Sequence, residues 1–525
     1  MQWADELLLC RFDVAFVASD AHQRPGRLRV NLKGVPLNPA EGRGLPARKV
    51  TRVIAICSDC ENVNSQHTLR PANRRPSVYD AANMSVRFHH ELFGESLDEA
   101  SALFVQRCQD LDPPGGGLHQ VLDLDNRIEA HLDFLFAGGA DVLGLLIETA
   151  SQSSGGAYAG TRALIRQGQV SAWGALAQQV LATPDDPDRL AVGVPARLAG
   201  LQCAAAHETW AGDLRDVHDI LTAGGDSPLA ACLAYAAGYQ RWDVAPALQA
   251  GLVAGVPDPA TWLWALGQIG ETQSRDTILG FLESSEPAVC RAAALALCRT
   301  EDDQMASWLV AQAMNQLWAP VALGFLGGPR AAGLLAKHIE TGDGFAVMAA
   351  GLMGDGGLVP VLLAAMKNPE QAPQAAQALH LISGLAPVEQ VAVADVVQDN
   401  NDDASPFADT RDVQWRLSQS PAKWTESWQR AGLKLPSATR HRLGALADPA
   451  HSLLALHSGH LRQDLRALVI DELFVRFGLG VHLRADQHAA RQLRVLEKLE
   501  LFIPHMKTQP VPGHFTFQGR RGVGA

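Results

Sequence analysis

The amino-acid sequence predicts an all-α protein: an α-solenoid of short helical repeats flanked by atypical helical modules at both ends. Three observations carry that prediction. Apolar residues recur at helical spacing from about residue 91 onward, β-branched alternating runs are scarce after residue 84, and the stretch from about 227 to 386 repeats itself. A hydrophobic content of 47% over 525 residues excludes a wholly disordered chain.

Residues 1–88 lack the apolar pattern of a domain. His22 to Pro76 is rich in Pro, Gly, Arg and Asn, and residues 1–83 hold 12 basic against 8 acidic side chains, leaving a net −16 for residues 84–525. A disordered extension is expected there. The competing expectation is an over-extended gene start, because Met84 opens MSVRFHHELFGESLDEASALFVQRCQ, which reads as a protein start.

Residues 89–225 read as a helical N-terminal module. Leu97, Ala100, Phe104 and Leu111 share one helical face, as do Leu118, Val121, Leu122, Ile128, Leu132 and Leu135, with Asp123, Arg127 and Asp133 facing out. The breaker Asp-Pro-Pro-Gly-Gly-Gly at 112–117 separates the two, and Thr183 to Pro187 is a helix-start signal before Arg189–Ala206.

Residues 226–398 form the repeat array. The helix ends LGQIG (266–270), ALCRT (296–300), LGFLG (323–327), AGLMG (350–354) and HLISG (380–384) recur at steps of 30, 27, 27 and 30, and LAYAAGYQ (233–240) is a weaker copy. Each unit holds two short apolar helices that cannot bury both faces alone, so neighbours must stack. The apolar run Gly344–Met366 is long enough for a membrane span but is broken by Gly354 to Gly357 and Pro360, so two short helices joined by a turn are expected. An acidic linker follows at 399–410, then a C-terminal helical cap at 411–502 and a disordered tail at 503–525.

These repeats resemble HEAT and HEAT-like units, EPAVCRAAALALCR at 286–299 being the clearest copy. A wider resemblance covers residues 90 to about 502. It rests on DLDNRIEAHLDFLFAGG (123–139), the central array, Trp424 and Trp428, and LRALVIDELFVRFGLGVHLRADQHAARQLRVL (465–496). These are similar to an uncharacterised bacterial family of HEAT-repeat proteins, some of whose members are encoded near type VI secretion genes. The resemblance implies a fold and no chemistry.

Composition and motifs exclude more than they assign. A net charge of −12 argues against nucleic-acid or anionic-membrane binding, which needs a surplus of basic residues. Eight cysteines are too sparse for a disulfide scaffold, and Asp5 and Glu6 stand where a secretory signal would carry Lys or Arg, so a cytoplasmic location is expected. Cys57-Ser58-Asp59-Cys60 is a single CxxC without a second ligand pair. His441, His451, His457 and His460 gather within twenty residues, and with Asp448 could ligate a metal; capping or solvated histidines are the plainer reading. Asp399 to Asp403 opens like a calcium loop but lacks its Gly and Glu, at Ala404 and Thr410. No phosphate-loop or nucleophile-elbow motif is present in the sequence. No metal, cofactor or catalytic residue is therefore assigned.

The tryptophans and arginines of the array supply the binding candidates. Trp262 and Trp264 are two apart and cannot share a helix face, so at least one should reach a surface or groove. Together with Trp308, Trp318, Arg275, Arg291, Arg299 and Arg330 they mark a candidate concave face for a protein partner; the alternative for the arginines is salt bridging between repeats. Trp424 and Trp428, four apart, are expected to pack together. The sequence thus points to a non-catalytic scaffold or adaptor, and the resemblance implies secretion-apparatus components as its partners. The rival is a lyase-type enzyme or cofactor-binding protein, to be favoured by a pocket of converging His, Asp or Arg side chains.

Overall fold

The computed structural model describes residues 78–521, apart from 112–116, 151–152, 169–172, 175, 179–195, 209–213, 224–226, 271–272, 301, 393–412 and 507–508. All of these belong to one compact unit, Pro76–Ala525. The CxxC, the acidic linker and the proline-marked helix start at 183–187 lie outside the described residues.

The chain is mostly helical. Its N-terminal part holds α1 (Val78–Leu111), α2 (Gly117–Ala137), α3 (Leu143–Ala150), α4 (Ser154–Arg166), α5 (Ala196–His207) and α6 (Leu214–Ala223). α1 begins ten residues before the expected boundary at 88. The apolar faces read from the sequence are the buried ones: Leu97, Ala100, Phe104 and Leu111 in α1, and Val121, Ile128, Leu132 and Leu135 in α2.

The repeat region alternates two sets of helices. The first is α7 (Pro228–Gln240), α9 (Pro259–Ile269), α11 (Pro287–Cys298), α13 (Ala319–Leu326), α15 (Gly344–Met353) and α17 (Ala372–Ser383). Between them lie α8 (Ala245–Ala254), α10 (Arg275–Gly280), α12 (Asp303–Gln312), α14 (Ala331–Glu340) and α16 (Val359–Ala365). Local chemistry sets these boundaries. Asp258, Asp302 and Asp343 accept hydrogen bonds from first-turn amides, and proline stands in the first turn of α7, α9, α11, α13 and α17. Gly270, Gly354 and Gly384 end α9, α15 and α17 in the left-handed conformation. The 344–366 run is two short helices with a break at Gly354, as the sequence requires, and no single described helix is long and apolar enough to cross a membrane.

Helices of the first set pack on one another in chain order, from α7 on α9 through to α15 on α17, and α4, α5 and α7 continue the row backward. Close approach depends on four glycines. A Cβ added at Gly238, Gly267, Gly324 or Gly351 would lie 2.5, 2.6, 3.2 or 2.8 Å from the Cα of Ala265, Ala296, Ala349 or Ala378 on the next helix of the row. Each is the third residue from the end of its helix.

The C-terminal part departs from the helical expectation. It contains α18 (Pro421–Ala431), α19 (Pro449–His457), α20 (Gln463–Val475) and α21 (Ala489–Phe502), but also three two-stranded antiparallel pairs. β1 (Val388–Ala392) pairs with β2 (Val413–Leu417), β3 (His441–Arg442) with β4 (Ala445–Leu446), and β5 (Thr516–Phe517) with β6 (Arg520–Arg521). Trp424 is buried and its indole donates to Ser418 O, while Trp428 is only partly buried. The expectation of a disordered tail over 503–525 needs correction for residues 503–506 and 509–521. Phe515, Thr516 and Phe517 are buried, the turn at Gln518 and Gly519 takes positive φ, and the amides of that turn donate to Val475 O and Arg476 O. A helical reading does not register so short a hairpin.

Candidate functional site

A helix leaves its last four carbonyls without intrahelical partners and carries partial negative charge at that end. Here the C-terminal ends of the row are met by buried arginines. Arg484 donates to Gly238 O at 3.2 Å, Arg299 to Gly267 O at 2.9 Å, Arg476 to Gly324 O at 2.7 Å and Arg442 to Gly351 O at 2.9 Å. These acceptors are the same four glycines that permit close helix packing. Arg440 adds Met353 O at 3.0 Å. All but Arg299 come from residues 440–484, so this limb of the chain returns along the helix ends in reverse order, from α15 back to α7.

The limb is fixed by carboxylates as well. Arg440, Arg442 and Arg476 are wholly buried around one buried carboxylate, Glu472: Arg442 lies 2.7 Å and Arg476 3.7 Å from Oε1, Arg440 also contacts Oε1, and Ser452 donates to Oε2. Burial alone would raise the Glu472 carboxyl, but the arginines hold it below its usual range. Asp471 takes Arg299 at 2.7 Å. Further along, Arg107 of α1 donates to Asp486 O and Gln487 O and pairs with Asp125, whose second oxygen accepts from Ala489 N at the start of α21.

Several clefts lie along the limb, among them one of about 380 Å³ lined by Arg241, Gln268, Arg299, Thr300 and Phe474 and the two described next. The larger, about 580 Å³, lies between α7, α9 and α20. Ala260, Trp264, Ala467, Ile470 and Ala485 give it an apolar centre, with Arg462, Asp464, Gln268 and Asp471 around them. Tyr235 stacks on Trp264 at 5.0 Å, and Arg484 lies 5.4 Å from the Trp264 ring.

The smaller cleft, about 440 Å³, is walled by α4, α5 and the start of α21. Tyr158 OH is 3.1 Å from His207 Nδ1, and His207 Nε2 is 3.8 Å from Asp486 Oδ2, which also accepts from Tyr235 OH. Burial pushes Tyr158 up to about 12 and lowers His207, so the phenol stays protonated and the imidazole neutral at pH 7. Asp486, which burial would raise, is held low by His207 and Arg107. Arg162 and Arg166 bind Glu129 and Glu208. The Tyr239 hydroxyl and both ends of the Gln487 amide have no hydrogen-bond partner among the described residues.

The residues singled out from sequence do not converge on one face. Trp262, Trp318 and Arg299 are buried in the interior. Trp264 lines the larger cleft, in keeping with the two-residue spacing that sends one tryptophan inward and the other to a groove. Arg275 pairs with Asp302 and Arg291 with Asp343, Trp308 is half exposed and parallel to Trp318 at 6.5 Å, and Arg330 is exposed. The histidine cluster is dispersed as well. His451 bonds Asp448, His457 meets Glu500 at 3.0 Å, and His460 packs edge-on against His380, while the amide of His441 bonds Gly354 O. No metal-holding group of three or more His, Cys, Asp or Glu is found among the described residues. Burial raises the thiols of Cys203, Cys232 and Cys298, which leaves them poor nucleophiles.

Arg107, Asp125, Tyr239, Glu472, Asp486 and Gln487 were not singled out in the sequence. A signal existed for some: Asp471, Glu472 and Arg476 interrupt the otherwise apolar LVIDELFVRF, where charges need buried partners. No family, no curated protein and no solved structure matches this chain.

Proposed function

We propose that the chain is an α-solenoid of HEAT-like units that serves as a non-catalytic scaffold or adaptor, holding a segment of a protein partner in the larger cleft. The supporting observation is the character of that cleft. An apolar centre at Trp264, Ala467 and Ile470 within a polar rim is the make-up of a protein-recognition pocket, where a buried aromatic anchor dominates. Its charged groups also have internal partners: Asp471 is bound to Arg299, Arg484 to Gly238 O and Asp486 to Tyr235. Groups so engaged hold shape; they are not arranged as a nucleophile with its base. A place beside a type VI secretion apparatus rests on the family resemblance alone, and a cytoplasmic setting rests on the sparse cysteines and on Asp5 and Glu6.

The test is a photo-crosslinking residue placed at Thr261 or at Gln463, on opposite walls of the cleft, in the native host. One protein captured from both positions, and lost when Ala467→Trp fills the cleft, is the expected result. Capture that persists in the filled variant, or no capture from either wall, overturns the assignment.

A second reading, binding of a small molecule, draws on the converging His207, Asp486 and tyrosines of the smaller cleft.

A further inference from the structure

The cleft of about 380 Å³ lies where three helices of the row end against α20. Arg241 follows α7, Gln268 to Gly270 close α9, Arg299 and Thr300 follow α11, and Phe474 comes from α20. Gly270 is exposed there, and Arg241, Ile269 and Phe474 are partly buried.

Two polar groups on this cleft lack partners, and they are of opposite kind. Gln268 is 3% exposed, and its amide nitrogen donates to Asp471 at 3.3 Å. A carboxylate only accepts, so the free end of that amide is its oxygen, which has no partner among the described residues. The Nε–H of Arg241 is buried and has no acceptor among them. Charge adds to the demand. Burial, and then repulsion from Arg484 and Arg299, push Arg241 down to about 10, with Asp471 offsetting only part. Arg241 also takes the left-handed conformation that favours glycine, at φ 56°, so the role of the side chain and not the backbone keeps an arginine there. The helix ends do not oppose an anion with open carbonyls. Leu266 O accepts from Gly270 N, Gly267 O from Arg299, and Leu297 O from Thr300.

Buried polar groups call for complements. An occupant of this cleft must bring a charged acceptor for the arginines, a donor for Gln268 and apolar surface for Ile269 and Phe474. The last residue of a polypeptide holds all three on one Cα: a carboxylate, a backbone N–H and a side chain. An inorganic anion has no carbon surface. A free amino acid brings an ammonium group, which the arginines repel, and an Asp or Glu side chain carries its carboxylate away from its own N–H. We propose that this cleft captures the C-terminal carboxylate of a protein partner, with Arg241 and Arg299 on the carboxylate and Gln268 Oε1 accepting from the terminal N–H. Capture of a chain terminus is a recurring mode of peptide recognition. The proposal rests on the reading of the chain as an adaptor and adds which part of the partner is held.

The test offers the immobilised full chain two libraries of short random peptides, one with free C-terminal acids and one with C-terminal amides. At least tenfold greater retention of the free acids is expected. Arg241→Gln should abolish that preference, whereas Arg330→Gln, at an exposed arginine, should keep it. Arg241 also donates to Val481 O, so circular dichroism checks that its variant folds. A photo-crosslinking residue at Ile269 locates the site without that variant, and it should link to the last residue of the retained acids. Equal retention of acids and amides, or of neither, overturns the proposal. So does a preference that persists in folded Arg241→Gln, or links from Ile269 to other parts of the peptides. Equal retention that Ala467→Trp abolishes leaves the larger-cleft reading standing while this one falls.

Discussion

Replacing Glu472 by Gln isolates the electrostatic term that holds the C-terminal limb to the row. Glu472 contacts three wholly buried guanidinium groups, at 2.7 Å for Arg442 and 3.7 Å for Arg476, with Arg440 on the same oxygen. At an effective dielectric constant near 20, two unit charges 4 Å apart attract by about 4 kcal/mol, and the desolvation of each ion offsets several kcal/mol of that. What survives in practice is the cost of leaving the partners uncompensated, about 3–5 kcal/mol for one buried pair. Three partners place Glu472→Gln at the upper end. Urea unfolding followed by tryptophan fluorescence reads the loss. Glu426→Gln is the internal control, because the Glu426–Arg430 pair is an exposed i,i+4 pair and should cost under about 0.5 kcal/mol. A second variant, with Glu472, Arg440 and Arg442 all made apolar, separates two accounts. If the cluster were a mere ion pair, apolar replacement would restore stability. Here the arginines also serve Gly351 O, Leu352 O and Met353 O, so stability should stay low. A loss below about 1 kcal/mol in Glu472→Gln, or full recovery in the apolar variant, refutes the reasoning.

Other perturbations follow from the same geometry. Gly351→Ala should destabilise by about 1–3 kcal/mol, since the new Cβ would press on the backbone of Ala378, whereas Gly333→Ala, which meets open space within α14, should stabilise by up to about 1 kcal/mol; thermal melts distinguish the pair. His380, buried and bonded to Leu385 O and Ser458, is lowered by burial to about 4 from 6.5. The unfolded chain then binds the extra proton between those values, so its contribution is intact above pH 6.5 and falls by up to about 3 kcal/mol as the pH drops toward 4. His380→Gln should flatten that part of the profile in urea unfolding at successive pH values. Glu472 has the opposite origin but the same direction: its carboxyl is depressed below 4.5, so its contribution holds above 4.5 and disappears as the pH falls through the lower folded value. Asp125→Asn should lower amide-exchange protection at the start of α21, where Ala489 N loses its charged acceptor.

The repeat was legible because it is local. LGQIG, LGFLG and AGLMG each place a glycine third from a helix end and a second glycine just past it, so both the small residue at the crossing and the stop signal are written in five letters. The buried faces of α1 and α2 were legible for the same reason, as was the break in the 344–366 run. The clefts were not. Arg107 and Gln487 are 380 positions apart, and nothing in either segment names the other. The arginines carried two readings, a binding face and salt bridges between repeats, because surface and buried guanidinium groups look alike in sequence; Arg275 and Arg291 take the second. Arg299 was placed on an open face, yet it is buried between Gly267 O and Asp471. The tail hairpin was missed because two-residue strands carry almost no periodicity, and it is tied at its turn to Val475 O and Arg476 O, far away in sequence.

The placement of the clefts follows from what the limb covers. A row of helix ends offers unpaired carbonyls and negative partial charge, which on its own would attract cationic groups along its length. Residues 440–484 already occupy that role at Gly238, Gly324, Gly351 and Met353 with their own arginines, and Arg299 fills it at Gly267. A ligand therefore cannot use those carbonyls without displacing a buried guanidinium from its partners. Recognition is left to the gaps, where α20 leaves α9 and where Asp486 to His488 turn into α21. In the first gap Asp471, Arg484 and Asp486 have internal partners and the centre is apolar, which suits a side chain of a protein partner. In the second, the Tyr239 hydroxyl and the Gln487 amide have no hydrogen-bond partner among the described residues, which suits a small polar ligand. The same limb that closes the edge thus defines two sites of different chemistry, and variants confined to one cleft should leave binding at the other intact.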